Sequence, residues 1–159
     1  MISLTNSDKG SITMKFSTRD RYALRLMVEL ANRPNDLIPL KDISDKQRIS
    51  LKYLEQIVTP LAKSGLVSSV RGAQGGYMLT RKPKEYTVGM ILRATEGDLA
   101  PAECVSVDGH ACTRSGVCPS HAVFSKVYSA INGVIDGVTL CDLIPEGESV
   151  SAGHTGACL

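Results

Sequence analysis

The pattern that most restricts the fold lies between residues 39 and 80. It begins with two segments of helical periodicity, a short one over 39–47 and a longer one over 51–64, in which apolar residues recur at intervals of three and four. The tight connection 48–50 ends in a serine that can cap the second helix. Two helices joined by so short a turn form a helix-turn-helix. Pro60 lies inside the second helix and predicts a kink or an early end near Thr59.

Two short strand-forming runs follow this pair of helices directly. Residues 66–71 and 77–80 carry β-type residues, and the glycine-rich segment 72–76 separates them. Such runs around a glycine-rich turn predict a β-hairpin. A hairpin placed immediately after a helix-turn-helix is a wing, so the sequence predicts a winged helix.

Further helices flank this unit. One is capped by Ser17 or Thr18 and runs to about Asn32, and another begins after Thr87. A long helix opens at Pro119, and its broad apolar stripe suits burial against a second chain. The stripe consists of Phe124, Val127, Tyr128, Ile131, Val134 and Ile135. The predicted fold is therefore mostly α with a small β-hairpin, a winged helix-turn-helix plus a long C-terminal dimerisation helix. The predicted division is a disordered N-terminal extension over 1–13, a DNA-binding domain over 14–96, a cysteine-rich loop over 97–121, a dimerisation helix with a short terminal helix over 122–144, and a disordered tail over 145–159.

Three of the five cysteines fall in one loop. Seven residues separate Cys104 from Cys112, five separate Cys112 from Cys118, and His121 follows at helical spacing. The loop has few apolar residues to bury, so a metal or disulfides must hold it. The gaps are longer than those of a structural zinc knuckle. An iron–sulfur cluster, zinc and thiol-based redox sensing all remain open on the residues alone, and His110 is a competing imidazole.

The remaining composition limits the location and the partners. No apolar run is long enough for a membrane helix, and the N-terminus has no signal-peptide core, so a cytoplasmic protein without membrane contact is expected. A reducing compartment favours metal or redox chemistry over disulfides. Residues 14–82 hold 13 Lys and Arg against 6 Asp and Glu, whereas residues 83–159 hold 4 against 9. A basic first half indicates a polyanionic partner there.

Candidate DNA contacts follow from the predicted winged helix. The start of a recognition helix faces base edges in the major groove, and an arginine at the wing tip can enter the minor groove. Arginines on the first helix would lie near phosphates. The candidates are Ser50, Lys52, Tyr53, Glu55, Gln56, Arg71, Arg19 and Arg21, with Arg25 nearby. No nucleophile–base pair, P-loop or dinucleotide motif occurs, so no catalytic residue is expected and the chain is not expected to be an enzyme.

Several motifs together resemble a known family. The stretches Ser17–Ala23, Ile49–Gln56, Gly65–Gly72 and Gly75–Tyr77 are similar to those of IscR-type regulators, which belong to the Rrf-two family of winged-helix repressors. The resemblance covers residues 14–144. It implies a homodimer that binds double-stranded promoter DNA, with an iron–sulfur cluster in the loop before the dimerisation helix. Contact with RNA polymerase or a partner enzyme stays open.

The resemblance also bears on the cluster ligands. Nitric-oxide-sensing members use an acidic fourth ligand early in the first helix, where this chain has Arg21, which cannot ligate. Members that control iron–sulfur homeostasis use a histidine just after the third cysteine, which corresponds to His121, although their first gap is usually shorter. Cys104, Cys112, Cys118 and His121 would hold a 2Fe–2S cluster, favoured here over a 4Fe–4S cluster with an external ligand.

The expected function is a cluster-dependent transcriptional regulator, a repressor that senses iron–sulfur or redox status. The alternatives are a cluster-free regulator controlled by a partner enzyme of cysteine metabolism, and a 4Fe–4S regulator that senses nitric oxide or iron. An electron carrier is a further alternative, but it would leave the winged helix without a purpose. Cys141 is expected to be a small buried residue and Cys158 to be incidental.

Overall fold

The computed structural model describes residues 16–72, 74–107, 109 and 112–144. The predicted extension over 1–13, the predicted tail over 145–159, His110 and Cys158 lie outside these residues. Within the described part, the elements are α1 (Thr18–Ala31), α2 (Leu40–Gln47), α3 (Leu51–Lys63), β1 (Val67–Val70), β2 (Gly76–Leu79), α4 (Val88–Glu96), α5 (Pro119–Gly137) and α6 (Leu140–Leu143). The predicted fold class is confirmed.

Helix α1 begins where its sequence can satisfy the free amides of a helix N-terminus. The Ser17 hydroxyl accepts from the Asp20 amide at 3.1 Å, and the Asp20 carboxylate accepts from the Ser17 amide at 3.1 Å. This reciprocal capping box fixes the first turn. On the inner face Ala23, Leu26 and Leu30 are fully buried, so one apolar stripe anchors α1 in the core.

Helix α3 starts at the predicted residue and ends at Lys63, one residue before the predicted limit. Ser50 caps it by accepting from the Tyr53 amide. The early end near Thr59 that Pro60 indicated does not occur, because the helix continues through Pro60 to Lys63. Pro60 has no amide to donate to the carbonyl of Gln56 four residues earlier. Arg19 of α1 donates to that carbonyl instead, at 3.5 Å from its Nη2 atom.

The hairpin forms the predicted wing. Strands β1 and β2 pair antiparallel, with Val67 opposite Leu79 and Val70 opposite Gly76. The wing is also tied to the segment before α2, where Ile38 and Tyr77 exchange two backbone hydrogen bonds of 2.9 Å. A side chain at Gly76 would lie 2.7 Å from the Ile38 backbone, so only glycine permits this approach.

Residues 83–85 form a 3₁₀ turn that leads to a fully buried tyrosine. The hydroxyl of Tyr86 donates to the Leu66 carbonyl at 2.9 Å and accepts from the amides of Thr80 and Arg81 at 2.9 and 2.8 Å. The Tyr86 carbonyl accepts from the Leu140 amide at 3.0 Å. One residue therefore joins the base of the wing to the C-terminal helix α6.

Helix α5 packs on α4 through a polar face. Arg93 makes a two-pronged ion pair with Asp136, with distances of 2.7 and 2.8 Å, and donates to Asn132 at 2.7 Å. Tyr128, which the sequence placed in the apolar stripe of this helix, lies on this polar face and donates to Asp98. Only Ile135 of α5 is buried. No helix among the described residues is long and apolar enough to cross a membrane.

Candidate DNA-binding surface and metal-binding loop

The predicted recognition surface forms an open cleft. Its volume is about 850 Å³, and it runs along the outer face of α3 beside the start of α1. The cleft is lined by Arg19, Lys52, Tyr53, Glu55, Gln56, Thr59, Pro60 and Lys63. Five of the predicted contact residues therefore share one surface. Sequence reasoning did not select Thr59 and Lys63, whose place on the α3 face follows from helical spacing.

Arg19 joins the two helices that form this cleft. Besides its bond to the Gln56 carbonyl, its Nε atom is buried and has no hydrogen-bond partner among the described residues. The Gln56 side chain is exposed on α3, and its backbone carbonyl is bonded to Arg19 of α1. The position of Gln56 on the surface therefore depends on α1 as well as on α3.

Helix α1 also holds the turn between α2 and α3. Arg25 donates to the carbonyl of Gln47, the last residue of α2, at 2.7 Å and to its side chain at 2.6 Å. The Gln47 side chain donates in turn to the buried carboxylate of Glu29, which also pairs with Lys46 at 3.0 Å. Arg48 follows with a φ of 54°. Arg25, expected near phosphates, thus has partners within the protein.

The predicted contact residues differ in how far their side chains are exposed. Tyr53 is half-buried, and its ring meets that of Tyr22 edge to face at 5.7 Å between centroids. Ser50 is exposed at the start of α3, and Arg21 is exposed and donates to Thr18 at 3.2 Å. Arg71 is exposed just after β1 and does not line the cleft.

The wing turn requires glycine at two positions that follow Arg71. Gly72 has a φ of 125°, which other residues rarely adopt. A side chain at Gly75 would lie 2.2 Å from the Val70 carbonyl. The glycine-rich pattern of the sequence therefore has a steric cause, and it places Arg71 at an exposed turn that a groove could receive.

The three loop cysteines are free thiols and each is half-buried. Cys104 lies in a 3₁₀ turn over Glu103–Val105, and Cys118 is the residue that precedes the first turn of α5. His121 is half-buried in that first turn. Cys112 begins a local turn in which its carbonyl accepts from the Ser115 amide at 3.0 Å. Cys141, which was expected to be a small buried residue, is half-buried in α6.

The four proposed ligands are not gathered in the fold as described. Over the described ranges, no three His, Cys, Asp or Glu side chains form a group that could hold a metal ion. By chemistry the donor set fits an iron–sulfur cluster, since thiolates are its usual ligands and histidine replaces cysteine in some clusters. Ligation by all four residues requires the loop to close.

The base of this loop is joined to the N-terminus of α1. The Ser17 hydroxyl donates to Glu96, the last residue of α4, at 2.7 Å, and Thr95 donates to the buried Asp20 carboxylate at 3.0 Å. Burial raises the pKa of Asp20, with the nearby Glu96 charge adding to the rise, and the bonds from Ser17 and Thr95 oppose it. The loop thus leaves α4 where α4 contacts the helix that carries Arg19.

Comparison of the sequence with known proteins finds transcriptional regulators. The family model for Rrf2, described as an iron-dependent transcriptional regulator, matches residues 16–146. The HTH-type transcriptional regulator IscR of Aliivibrio salmonicida is 38% identical over 136 residues, 85% of this chain and 80% of that protein.

Solved structures of two regulators are also similar to this chain. T. potens IscR has a TM-score of 0.67 and 34% identity, covering 91% of this chain and 98% of that one. CymR, the global cysteine regulator of B. subtilis, has a TM-score of 0.66 and 39% identity, covering 81% and 95%. The family and these relatives are regulators, which confirms that the chain is not an enzyme. The chain belongs to the Rrf2 family of winged helix-turn-helix transcriptional regulators and is IscR-like in sequence.

Proposed function

We propose that this protein is a homodimeric repressor whose binding to promoter DNA depends on an iron–sulfur cluster. Cys104, Cys112, Cys118 and His121 would hold the cluster, a 2Fe–2S cluster in preference to a 4Fe–4S cluster. The regulator would act in the cytoplasm and respond to iron–sulfur or redox status. The division into a DNA-binding head over 14–96, a cysteine loop over 97–121 and a dimerisation segment over 122–144 belongs to this proposal.

The DNA-binding part is supported by the cleft on α3 and by the wing. Exposed Lys52, Glu55 and Gln56 offer a charge, an acceptor and an amide, which suit phosphate, cytosine and adenine respectively. Arg71 would enter the minor groove, and Ser50 and Arg21 would contact the phosphate backbone of the DNA. The bonds from α1 to Gln47 and Gln56 would keep this surface in register with the groove.

The homodimer is supported by the outer face of α5. Val123 and Val134 are 58% and 66% exposed, and Phe124 and Val127 are each 38% exposed. Val123, Val127 and Val134 lie on the side of the helix opposite the polar face that packs on α4, and Phe124 lies at the edge of this apolar stripe. An exposed apolar stripe on a long helix is typical of a helix-pairing surface. Two heads joined in this way would match a palindromic site.

The observation that carries the cluster-dependent function is the contact between the loop base and α1. Glu96, one residue before the loop, accepts from Ser17 beside Arg19, and Arg19 reaches the backbone of α3. When bound, the cluster supplies a redox-active centre that cross-links the loop. Closing the loop would shift the end of α4. The contact between Glu96 and Ser17 would carry this shift to α1, and the contact between Arg19 and Gln56 would carry it to the recognition helix α3. Such coupling is reciprocal, so DNA would also alter cluster affinity.

The test of cluster binding is anaerobic purification followed by iron and sulfide analysis with absorption and Mössbauer spectra. We expect two iron and two sulfide per chain, and loss of the cluster in Cys118→Ala. His121→Ala should retain iron less well and change the spectrum, since an imidazole ligand would be lost. The matched control is His121→Cys, which should restore binding with an all-thiolate spectrum. A colourless, iron-free protein that still binds DNA tightly would contradict the proposal.

A second candidate is a cluster-free regulator that takes its signal from a partner enzyme. The similarity to CymR favours it, because that relative is a regulator of cysteine. The three free thiols in one loop favour the cluster instead. The iron analysis separates the two, since the second candidate predicts full DNA binding by iron-free protein.

A further inference from the structure

Asp98 is a half-buried carboxylate that binds two other parts of the chain. It lies just after Gly97, which ends α4 with a φ of 83°. Its Oδ2 atom accepts from the Ser106 hydroxyl and from the Val107 amide, the latter at 3.0 Å. Its Oδ1 atom accepts from the Tyr128 hydroxyl on α5. One side chain therefore connects the first residues of the loop, its middle and the dimerisation helix.

These bonds enclose the turn that carries Cys104. Ser106 and Val107, which Asp98 binds, directly follow this 3₁₀ turn, so the carboxylate fixes the C-terminal end of the turn. The turn itself packs against α5. A side chain at Gly109 would lie 2.1 Å from the Glu103 carbonyl, so the chain folds back over this turn where only glycine fits. Hydrogen bonds to an ionised carboxylate are stronger than neutral ones.

The electrostatic surroundings fit an ionised Asp98. Burial acts to raise its pKa, but the bonds from Ser106, Tyr128, Val107 and Ala100 together lower the pKa below its ordinary value. Burial and the bond to Asp98 raise the pKa of the Tyr128 phenol. Tyr128 therefore remains a donor, and Asp98 remains an acceptor, at neutral pH.

Tyr128 lies on the same face of α5 as His121. The two are seven residues apart, which is about two turns, roughly 10 Å along the axis and about 20° in rotation. Cys118 immediately precedes this helix. The Cys104 turn is thus anchored to the helix that carries two other proposed ligands. The described residues around Cys112 are instead joined by local turn bonds, from Ser115 to Cys112 and from Val117 to Arg114.

We infer that Asp98 is a positioning residue that seats the Cys104 turn on α5, through Ser106, Val107 and Tyr128, before any cluster is bound. The role toward a cluster rests on the proposed function, whereas the seating of the turn is a property of the metal-free protein. The two can therefore be tested separately.

The first experiment uses metal-free protein and measures amide hydrogen exchange by nuclear magnetic resonance. In Asp98→Ala the Val107 amide should exchange about tenfold faster, because it loses its acceptor. The matched control is Asp142→Asn, which alters another carboxylate that accepts from a backbone amide, that of Thr139, outside the loop. Unchanged protection of Val107 in Asp98→Ala would overturn the inference.

The second experiment measures cluster loss in anaerobically loaded protein, followed by visible absorption after a chelator is added. Asp98→Ala and Tyr128→Phe should each lose the cluster several-fold faster, and the double variant no faster than Asp98→Ala alone, since both act through one carboxylate. Additive effects, or unchanged rates, would overturn the positioning role. If the unaltered protein takes up no cluster, the proposed function fails, and Val107 exchange still decides whether Asp98 seats the turn.

Discussion

Arg71 is the residue on which minor-groove contact depends. It is exposed beyond β1, at a wing turn that only glycines permit. We expect Arg71→Ala to weaken DNA binding by about 1–3 kcal/mol at fixed salt, because a groove contact and a positive charge are lost. Fluorescence anisotropy with a duplex selected from a random library measures this change.

Lys126→Ala is the control for that measurement. Lys126 is exposed on α5, so its substitution by alanine removes one positive charge from a different part of the surface. It should change the affinity by no more than a few tenths of a kcal/mol, within the usual range for a distant surface substitution. Equal affinities for Arg71→Ala and the unaltered protein would remove Arg71 from the interface.

The ion pair between Arg93 and Asp136 predicts a pH dependence of stability. The hydrogen bonds from the Arg93 guanidinium hold the pKa of Asp136 below its ordinary value. A carboxyl group with a depressed folded-state pKa stabilises the fold above its unfolded pKa of about 3.9, and this contribution is lost as pH falls through the folded value. Both side chains are over a third exposed, at 36% and 45%, so solvent screening limits the effect.

Denaturant unfolding at pH 7 and at pH 3 tests this dependence. Asp136→Asn should lower the free energy of unfolding by at most about 1 kcal/mol at pH 7, and by less at pH 3, where the pair is already weakened in the unaltered protein. A loss that is the same at both pH values would show that the charge of Asp136 makes no contribution.

Polar contacts between distant residues were the part that the sequence could not predict. The pattern placed Tyr128 with apolar neighbours, whereas its hydroxyl binds Asp98, thirty residues away. Pro60 indicated an early helix end because it has no amide to bind the Gln56 carbonyl. The sequence pattern gave no sign that Arg19 would donate to that carbonyl instead. Side chains of this kind carry no periodic signal, so their partners emerge only from the folded chain.

At the level of the elements, α5 separates two kinds of contact. Tyr128, Asn132 and Asp136 face the loop and α4, and the apolar residues on the other side are exposed. We expect Val127→Asp to raise the dimer dissociation constant by at least about 100-fold, because a charge would be buried without a partner. Sedimentation equilibrium measures the change.

Ser129→Asp is the matched control on the same helix. Ser129 is exposed and lies away from the apolar stripe, so the same charge should leave the dissociation constant within about threefold of its original value. A Val127→Asp protein that remains as dimeric as the control would exclude this face of α5 as the pairing surface.

Most helix and strand limits followed from local signals. Ser50 and Thr87 cap α3 and α4, Pro119 opens α5, and a glycine-rich turn separates the strands. Each of these residues acts on its own neighbours, which is why sequence alone sufficed. The 3₁₀ turns at 83–85 and 103–105 were missed, since short turns have no repeating pattern to detect.

Over the whole molecule, the N-terminus of α1 is where the head and the loop meet. Ser17 and Asp20, at the start of α1, bind Glu96 and Thr95, the last two residues of α4, and the cysteine loop follows α4 directly. The charge division of the sequence predicted a basic head and an acidic remainder, but not this junction. The junction joins residues 79 and 75 positions apart.

The most direct test is the affinity of cluster-loaded and cluster-free protein for one selected duplex. Both forms are measured anaerobically at the same salt concentration, because salt alone changes such affinities strongly. We predict dissociation constants that differ by at least about tenfold, in line with a coupling free energy of about 1–3 kcal/mol. The difference should shrink when Ser17→Ala breaks the bond to Glu96. Equal affinities of the loaded and cluster-free forms would contradict cluster-dependent regulation.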